Sequence, residues 1–163
     1  MSPAASKCFY DGRKYDVRRS IGHGLAHLMM LLRREVEMRM AEHGLTDAQW
    51  KPLWLLKTGR AATAIELARE MMIDAGAITR MLDRLEAKAL IERVRSETDR
   101  RVVHLKLTDA GEQVVQEVPH VLAAVNNDFL RGFSDKEFRQ LHDFIERMTA
   151  NGQALQHDEE AAA

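Results

Sequence analysis

The side chains with chemistry to offer in this chain of 163 residues are cationic and hydrogen-bonding. Thr79 and Arg80 are adjacent, and Arg84 follows Arg80 at i+4, so the two arginines share a face if the segment is helical. Arg100 and Arg101 lie side by side in the polar run Ser96-Glu97-Thr98-Asp99-Arg100-Arg101. A guanidinium presents a planar fork of donors that fits a guanine edge or a phosphate. Ala75, Gly76 and Ala77, one turn before Arg80, are small enough for a helix to come close to such a partner. The same arginines could equally form the solvated side of an amphipathic helix and the tip of an ordinary hairpin, so the elements that position them decide between the readings.

A second constellation is aromatic. His23 and His27 are four apart with Met30 one turn further, and Trp50 and Trp54 repeat that spacing. Aromatic walls with one or two hydrogen-bonding imidazoles suit a flat aromatic acid, whose carboxylate Arg33 or Arg34 could neutralise. Two tryptophans at helical spacing equally make a packed core. The His pair could hold a transition metal, but no nearby Cys or acidic motif completes a set, so no metal is expected. The sequence has no Gly-rich phosphate loop, nucleophile elbow or metal-binding helix motif, so neither an enzyme nor a cofactor is expected. The single cysteine, Cys8, excludes an internal disulfide and suits a reducing cytoplasm.

Composition sets the scale of the elements. At 45% hydrophobic the chain can build one core, and with 24 Lys and Arg against 25 Asp and Glu its formal net charge is −1, so a polyanion must be met by a local patch. No apolar run approaches the roughly 20 residues of a membrane span, and no membrane partner is expected. Ile21, Leu25, Leu28, Met29, Leu32, Val36 and Met40 recur at steps of three and four, predicting a long helix from about Asp16 to Gly44. Thr46 with Gln49 reads as a capping box opening a second helix that Gly59 ends. Thr63 and Asp74 cap two short helices on either side of Met71-Met72-Ile73, which is a helix-turn-helix pattern. The period then falls to two: Val103, Leu105 and Leu107 alternate with His104 and Lys106, and Ile91 to Arg95 can pair with them antiparallel. Thr108 caps a further helix, whose stripe of Val114, Val118, Leu122, Val125 and Phe129 Pro119 should bend. Ser134 starts a last helix with Phe138, Leu141, Ile145 and Met148 on one face.

The order of these elements, together with the segments Ile78-Thr79-Arg80-Met81-Leu82-Asp83-Arg84-Leu85-Glu86, Leu90-Ile91-Glu92-Arg93, Thr98-Asp99-Arg100-Arg101 and Leu107-Thr108-Asp109-Ala110-Gly111, resembles the MarR family of bacterial regulators over about Ser20 to Met148. Ala89 departs from the glycine that many relatives carry after the recognition helix. The resemblance implies a mainly helical winged helix-turn-helix fold with a two-stranded wing, and a sequence-specific regulator, most simply a repressor. It implies that Ala77, Thr79, Arg80, Arg84, Thr98, Asp99, Arg100 and Arg101 belong to the DNA-binding surface, with Asp99 bracing the wing through an ion pair and Arg100 or Arg101 entering the minor groove. Arg84 is placed for phosphate or for an ion pair with the wing.

One winged helix reads few base pairs, so a homodimer on an inverted repeat of double-stranded DNA is expected, with half-sites roughly 34–36 Å apart. The outer helices would pair through Val17, Ile21, Phe138, Leu141 and Ile145. The organisation expected is a flexible segment 1–15, a first helix 16–45 for dimerisation and pocket, a DNA-binding lobe 46–108, dimerisation helices 109–155 and a disordered tail 156–163. The resemblance also places an effector crevice near the first two helices, making His23, His27, Met30, Trp50 and Trp54 the candidate site for an aromatic carboxylate. Two alternatives stay open: a redox-responsive regulator using Cys8, near which Phe9, Tyr10 and Tyr15 stand, and a winged-helix interaction module that does not bind DNA.

Overall fold

The computed structural model describes residues 8–96, 98–99 and 102–162, the last six of these by backbone alone. The chain divides into two compact units, one ending at Val125 and the other starting at Asn126. No helix among the described residues is long and apolar enough to cross a membrane.

In the first unit, two single 3₁₀ turns at Gly12–Lys14 and Val17–Arg19 precede α1 (Ile21–Glu42). The long helix expected from about Asp16 thus begins five residues later. Asp16 accepts from the Arg18 N–H in its own short turn, while the Ser20 hydroxyl oxygen, on extended backbone, accepts from the His23 N–H at 3.2 Å and becomes the N-cap. The Ile21 N–H, another of the orphan donors of that helix end, is taken by the Tyr10 phenol oxygen at 2.9 Å. Of α1 only Val36 and Met40 are buried, so its N-terminal half presents Ile21, Leu25, Leu28, Met29 and Met30 outward. Gly44, at φ +71°, lets the chain leave the helix, and Leu45 drops into the core.

At the capping box expected at Thr46, Gln49 accepts from the Thr46 N–H at the start of α2 (Asp47–Lys57). Thr63, expected as a cap, makes a reciprocal box with Glu66 that opens α3 (Ala64–Met71). The chain turns at Met72, a left-handed residue at φ +53°, into α4 (Ala75–Ala87), which Asp74 caps. After α4 the turn at Ala89 has φ +54°, so alanine occupies the left-handed position for which glycine would be unstrained. Strands β1 (Ile91–Arg95) and β2 (Val103–Leu107) pair antiparallel, with Arg93 opposite Leu105. The Leu105 N–H also donates to the Ala62 carbonyl at 2.8 Å, which ties the hairpin to the segment before α3.

Ile78, Leu82 and Leu85 of α4 are buried, as are Leu53, Leu67, Ile91 and Leu105, so helix-turn-helix and hairpin share one core. Thr108 caps α5 (Asp109–Val115) and also donates to the Ala89 carbonyl. The stripe expected to bend at Pro119 is instead divided two residues earlier. Here α6 (Val118–Phe129) begins with Pro119 in its first turn, where the missing N–H has no intrahelical partner to lose.

In the second unit, Gly132 at φ +89° precedes Ser134, whose hydroxyl and N–H exchange hydrogen bonds with Glu137 at the start of α7 (Asp135–Ala162). The Glu137 carboxyl is held below its usual range chiefly by that Ser134 N–H. Phe138, Leu141, Phe144, Ile145 and Met148 recur along α7 and all are exposed.

Candidate nucleic-acid interface

The interface begins with a cap. The Asp74 carboxylate accepts from the Ala77 N–H at 2.8 Å, and this bond, more than any other influence, holds its pKa below the ordinary 3.8, with the nearby Arg80 charge adding to the effect. The cap fixes where α4 starts and leaves Ala75, Gly76, Thr79 and Arg80 exposed along its first turns. A Cβ added at Gly76 would lie 3.6 Å from the Arg80 Nη1 atom, so the guanidinium lies back over the small N-terminal turn. Ala77 is half-buried, and its backbone N–H is committed to the cap.

Thr79 donates its hydroxyl to the Ala75 carbonyl at 2.8 Å, which leaves the hydroxyl oxygen available as an acceptor. Arg84 donates through Nε to the Arg80 carbonyl at 3.1 Å, with its fork beyond that bond exposed. Among the described residues, neither Arg80 nor Arg84 has a carboxylate within ion-pair distance. The exposed side of α4 thus carries two guanidinium groups one turn apart, with the Asp74 cap near Arg80 and no ion pair to either among the described residues.

The ion pair that joins α4 to the hairpin belongs to a different arginine. Arg93, on β1, donates to Asp83 at 2.7 Å and to Glu86 at 2.5 Å, bridging two carboxylates one turn apart on α4. Arg84 is the neighbour of Asp83 but points its Nε along its own helix. The Arg93 arrangement was missed in the sequence because both pairs cross the turn from α4 into β1, where neither the helix nor the strand period applies. The available signal was an Asp-x-x-Glu pair followed by a single cation on the first strand.

At the hairpin end, Ser96 donates its N–H to the Val102 carbonyl, and Val102 donates to the Asp99 carbonyl at 2.9 Å. The Ser96 hydroxyl lies 3.0 Å from the Thr98 hydroxyl and accepts from the Thr98 and Asp99 N–H groups at 3.3 Å. Thr98 and Asp99 are exposed there. Arg100 and Arg101, expected at the wing tip, lie outside the described residues.

The candidate effector residues are not brought together as one group. Trp50 is buried and donates from its indole to Asp47 at 3.0 Å, while Trp54 is half-buried. Both line a groove of about 710 Å³ with Arg33, Leu55, Met71, Met72, Ile73, Met81 and Leu122, bounded by Lys51, Arg60, Asp47 and Glu70. His23 and His27 are exposed on α1 and do not line it. Met30 belongs to a separate shallow recess with Met29, Arg33, Arg34 and Glu37. The groove's charges mostly cancel: Lys51 pairs with Asp47 and Arg60 with Glu70. Arg33 is the lining cation with no ion pair among the described residues. Cys8 is exposed, and Tyr10 and Tyr15 stack edge to face at 5.5 Å. Val17 and Ile21 are exposed in the first unit.

Comparison with known proteins matches this geometry. The family model described as "MarR family" matches residues 45–103, the span from the start of α2 to the second strand. Among solved structures, the YusO protein from Bacillus subtilis is 32% identical, covering 80% of this chain and 92% of its own, with a TM-score of 0.60. A transcriptional regulator, PA3341, is 29% identical, covering 83% and 99%, with a TM-score of 0.73. A cysteine-to-serine variant of MarR from E. coli, solved in complex with operator DNA, is 25% identical, covering 82% and 99%, with a TM-score of 0.71.

Proposed function

The chain belongs to the MarR family of winged-helix transcriptional regulators, and from that premise we propose that it is a homodimeric repressor that reads an inverted-repeat operator and is released by a small aromatic carboxylate. One observation carries the DNA half of this reading. The N-terminal turns of α4 are small, capped and exposed, and the arginines on that side, Arg80 and Arg84, form no ion pair among the described residues, although the chain as a whole is slightly acidic. That is a local cationic surface on a helix, the shape that enters a major groove. A relative of the same fold has been solved on operator DNA.

In this reading residues 46–108 form the DNA-binding lobe, with Arg80 and Thr79 as base readers near the entering end of α4. Arg84 contacts phosphate, and Thr98, Asp99, Arg100 and Arg101 form the minor-groove end of the wing. The exposed apolar residues Val17, Ile21, Phe138, Leu141 and Ile145 are assigned to pairing with a second copy, since faces of this size are otherwise buried against a partner. The effector is assigned to the groove over Trp50 and Trp54, where Arg33 supplies a positive charge with no ion pair among the described residues. The groove is also walled by Met71, Met72 and Ile73, the turn of the helix-turn-helix, so a ligand there touches the element that aims α4.

Selection from a random duplex pool tests the DNA reading. It should return a palindromic consensus bound by two chains. Arg80→Ala should cost about 1–3 kcal/mol and relax the consensus at the positions it reads. Recovery of no consensus, with binding indifferent to salt, would favour an interaction module that does not engage DNA.

A further inference from the structure

The DNA-facing helix carries its own obstacle. Asp83 is three residues beyond Arg80 and adjacent to Arg84, with its side chain 57% exposed, and Glu86 follows one turn later. At about 100° per residue Asp83 flanks the Arg80–Arg84 face and Glu86 lies further round α4 toward β1. Both negative charges repel an approaching polyanion, Asp83 at the shorter range, and that repulsion opposes the attraction of Arg80 and Arg84. Arg93 reaches across from β1 and bonds both, one nitrogen of its fork to each. A guanidinium suits this task because its two terminal nitrogens can serve two acceptors at once.

We propose that Arg93 acts as a positioning and charge-cancelling residue for DNA binding: it neutralises Asp83 and Glu86 so that the Arg80–Arg84 face of α4 can approach the phosphate backbone. The proposal rests on the operator-binding reading above. Arg93 itself need not touch DNA, because its fork is already committed to the two carboxylates. Exposed ion pairs of this kind contribute little to folding, so the bridge matters mainly when a polyanion is close. The geometry separates this role from a structural one. If Arg93 merely held the hairpin to α4, removing all three charges would leave the defect in place. If it cancels charge, removing all three would repair it.

The test measures binding of the selected operator duplex by anisotropy across a salt series, with circular dichroism and thermal midpoint recorded for each variant. At low salt Arg93→Met should weaken binding about tenfold or more, and the deficit should shrink as salt screens the exposed carboxylates. The triple variant Asp83→Asn, Glu86→Gln, Arg93→Met should return to within about threefold of wild type. The double variant Asp83→Asn, Glu86→Gln keeps Arg93 and adds two units of net positive charge at the face, so it should bind at least as tightly as wild type. This variant also covers the case in which Arg93→Met does not fold. Unchanged affinity in Arg93→Met, a triple variant as weak as Arg93→Met with native dichroism, or a folded double variant weaker than wild type would each overturn the proposal. Failure of the wild-type chain to bind any duplex would instead overturn the operator reading on which it rests.

Discussion

The winged module and the outer helices solve opposite problems. From Leu45 to Gly111 nearly every local device is closed within one chain: Thr46, Thr63, Asp74 and Thr108 cap their helices, Leu105 pairs with Ala62, and Arg93 bridges strand to helix. The N-terminal half of α1 and the apolar side of α7 are regular helices with good caps but large exposed residues, among them Ile21 and Ile145, each about half exposed. Local physics accounts for the first region, while the second leaves its apolar side chains exposed. The difference teaches that the module's caps and cross-links are met within the chain, whereas the N-terminal half of α1 and one side of α7 leave large apolar residues exposed.

That contrast can be broken most severely at α7. Ile145→Arg puts a charge on the exposed apolar side, and on the proposed pairing the variant should sediment as a folded monomer and the wild type as a dimer. Operator affinity should then fall by roughly a hundredfold or more, because one half-site no longer recruits the other. A dimer that survives the substitution would remove this side of α7 from the interface.

A change inside the module should act without regard to concentration. A Cβ added at Gly111 would lie 2.0 Å from the Leu90 carbonyl oxygen, a contact that backbone alone can relieve. Gly111→Ala should therefore lower stability by about 1–3 kcal/mol, read from urea unfolding, to the same extent in dilute and concentrated samples. A neutral result would show that α5 shifts freely against Leu90, just before β1.

The smallest effect sharpens the comparison at a single cap. Asp74 has its pKa lowered in the folded state, so its stabilisation is present above the ordinary value of 3.8 and is lost as pH falls through the folded value. Asp74→Ala should lower the thermal midpoint at pH 6, and the gap to wild type should narrow as the pH is taken below about 4. A gap independent of pH would mean that the carboxylate charge adds nothing to the cap.

How much of this was legible in the sequence follows from range. Thr46 with Gln49, Thr63 with Glu66, and Asp74 with Ala77 are side-chain bonds to backbone three residues away, so spacing alone announces them. The alternation of Val103, Leu105 and Leu107 likewise announced the hairpin, while its register came from the structure. The start of α1 was set too early because Asp16 and Ser20 are both good caps, and only the Val17–Arg19 turn decides that Ser20 wins.

The Arg93 bridge and the groove over Trp54 depend on how α4 meets β1 and how α2 meets the Met71-Met72-Ile73 turn, packing that no residue period encodes. His23 and His27 shared a helical spacing with Trp50 and Trp54. Equal spacing on two helices does not make their faces meet, and the histidines stand outside the groove.

The central claim is that an overall acidic chain binds DNA through one local cationic face. It is tested most directly by titrating the selected operator with the wild-type protein from about 50 to 200 mM salt. Six to ten phosphate contacts over the dimer should give a linear fall of log affinity with log salt, of roughly 10³- to 10⁵-fold over that range, saturating at two chains per duplex. A scrambled duplex should share the salt dependence but bind far more weakly. Affinity independent of salt, or equal for operator and scrambled duplex, would contradict the account.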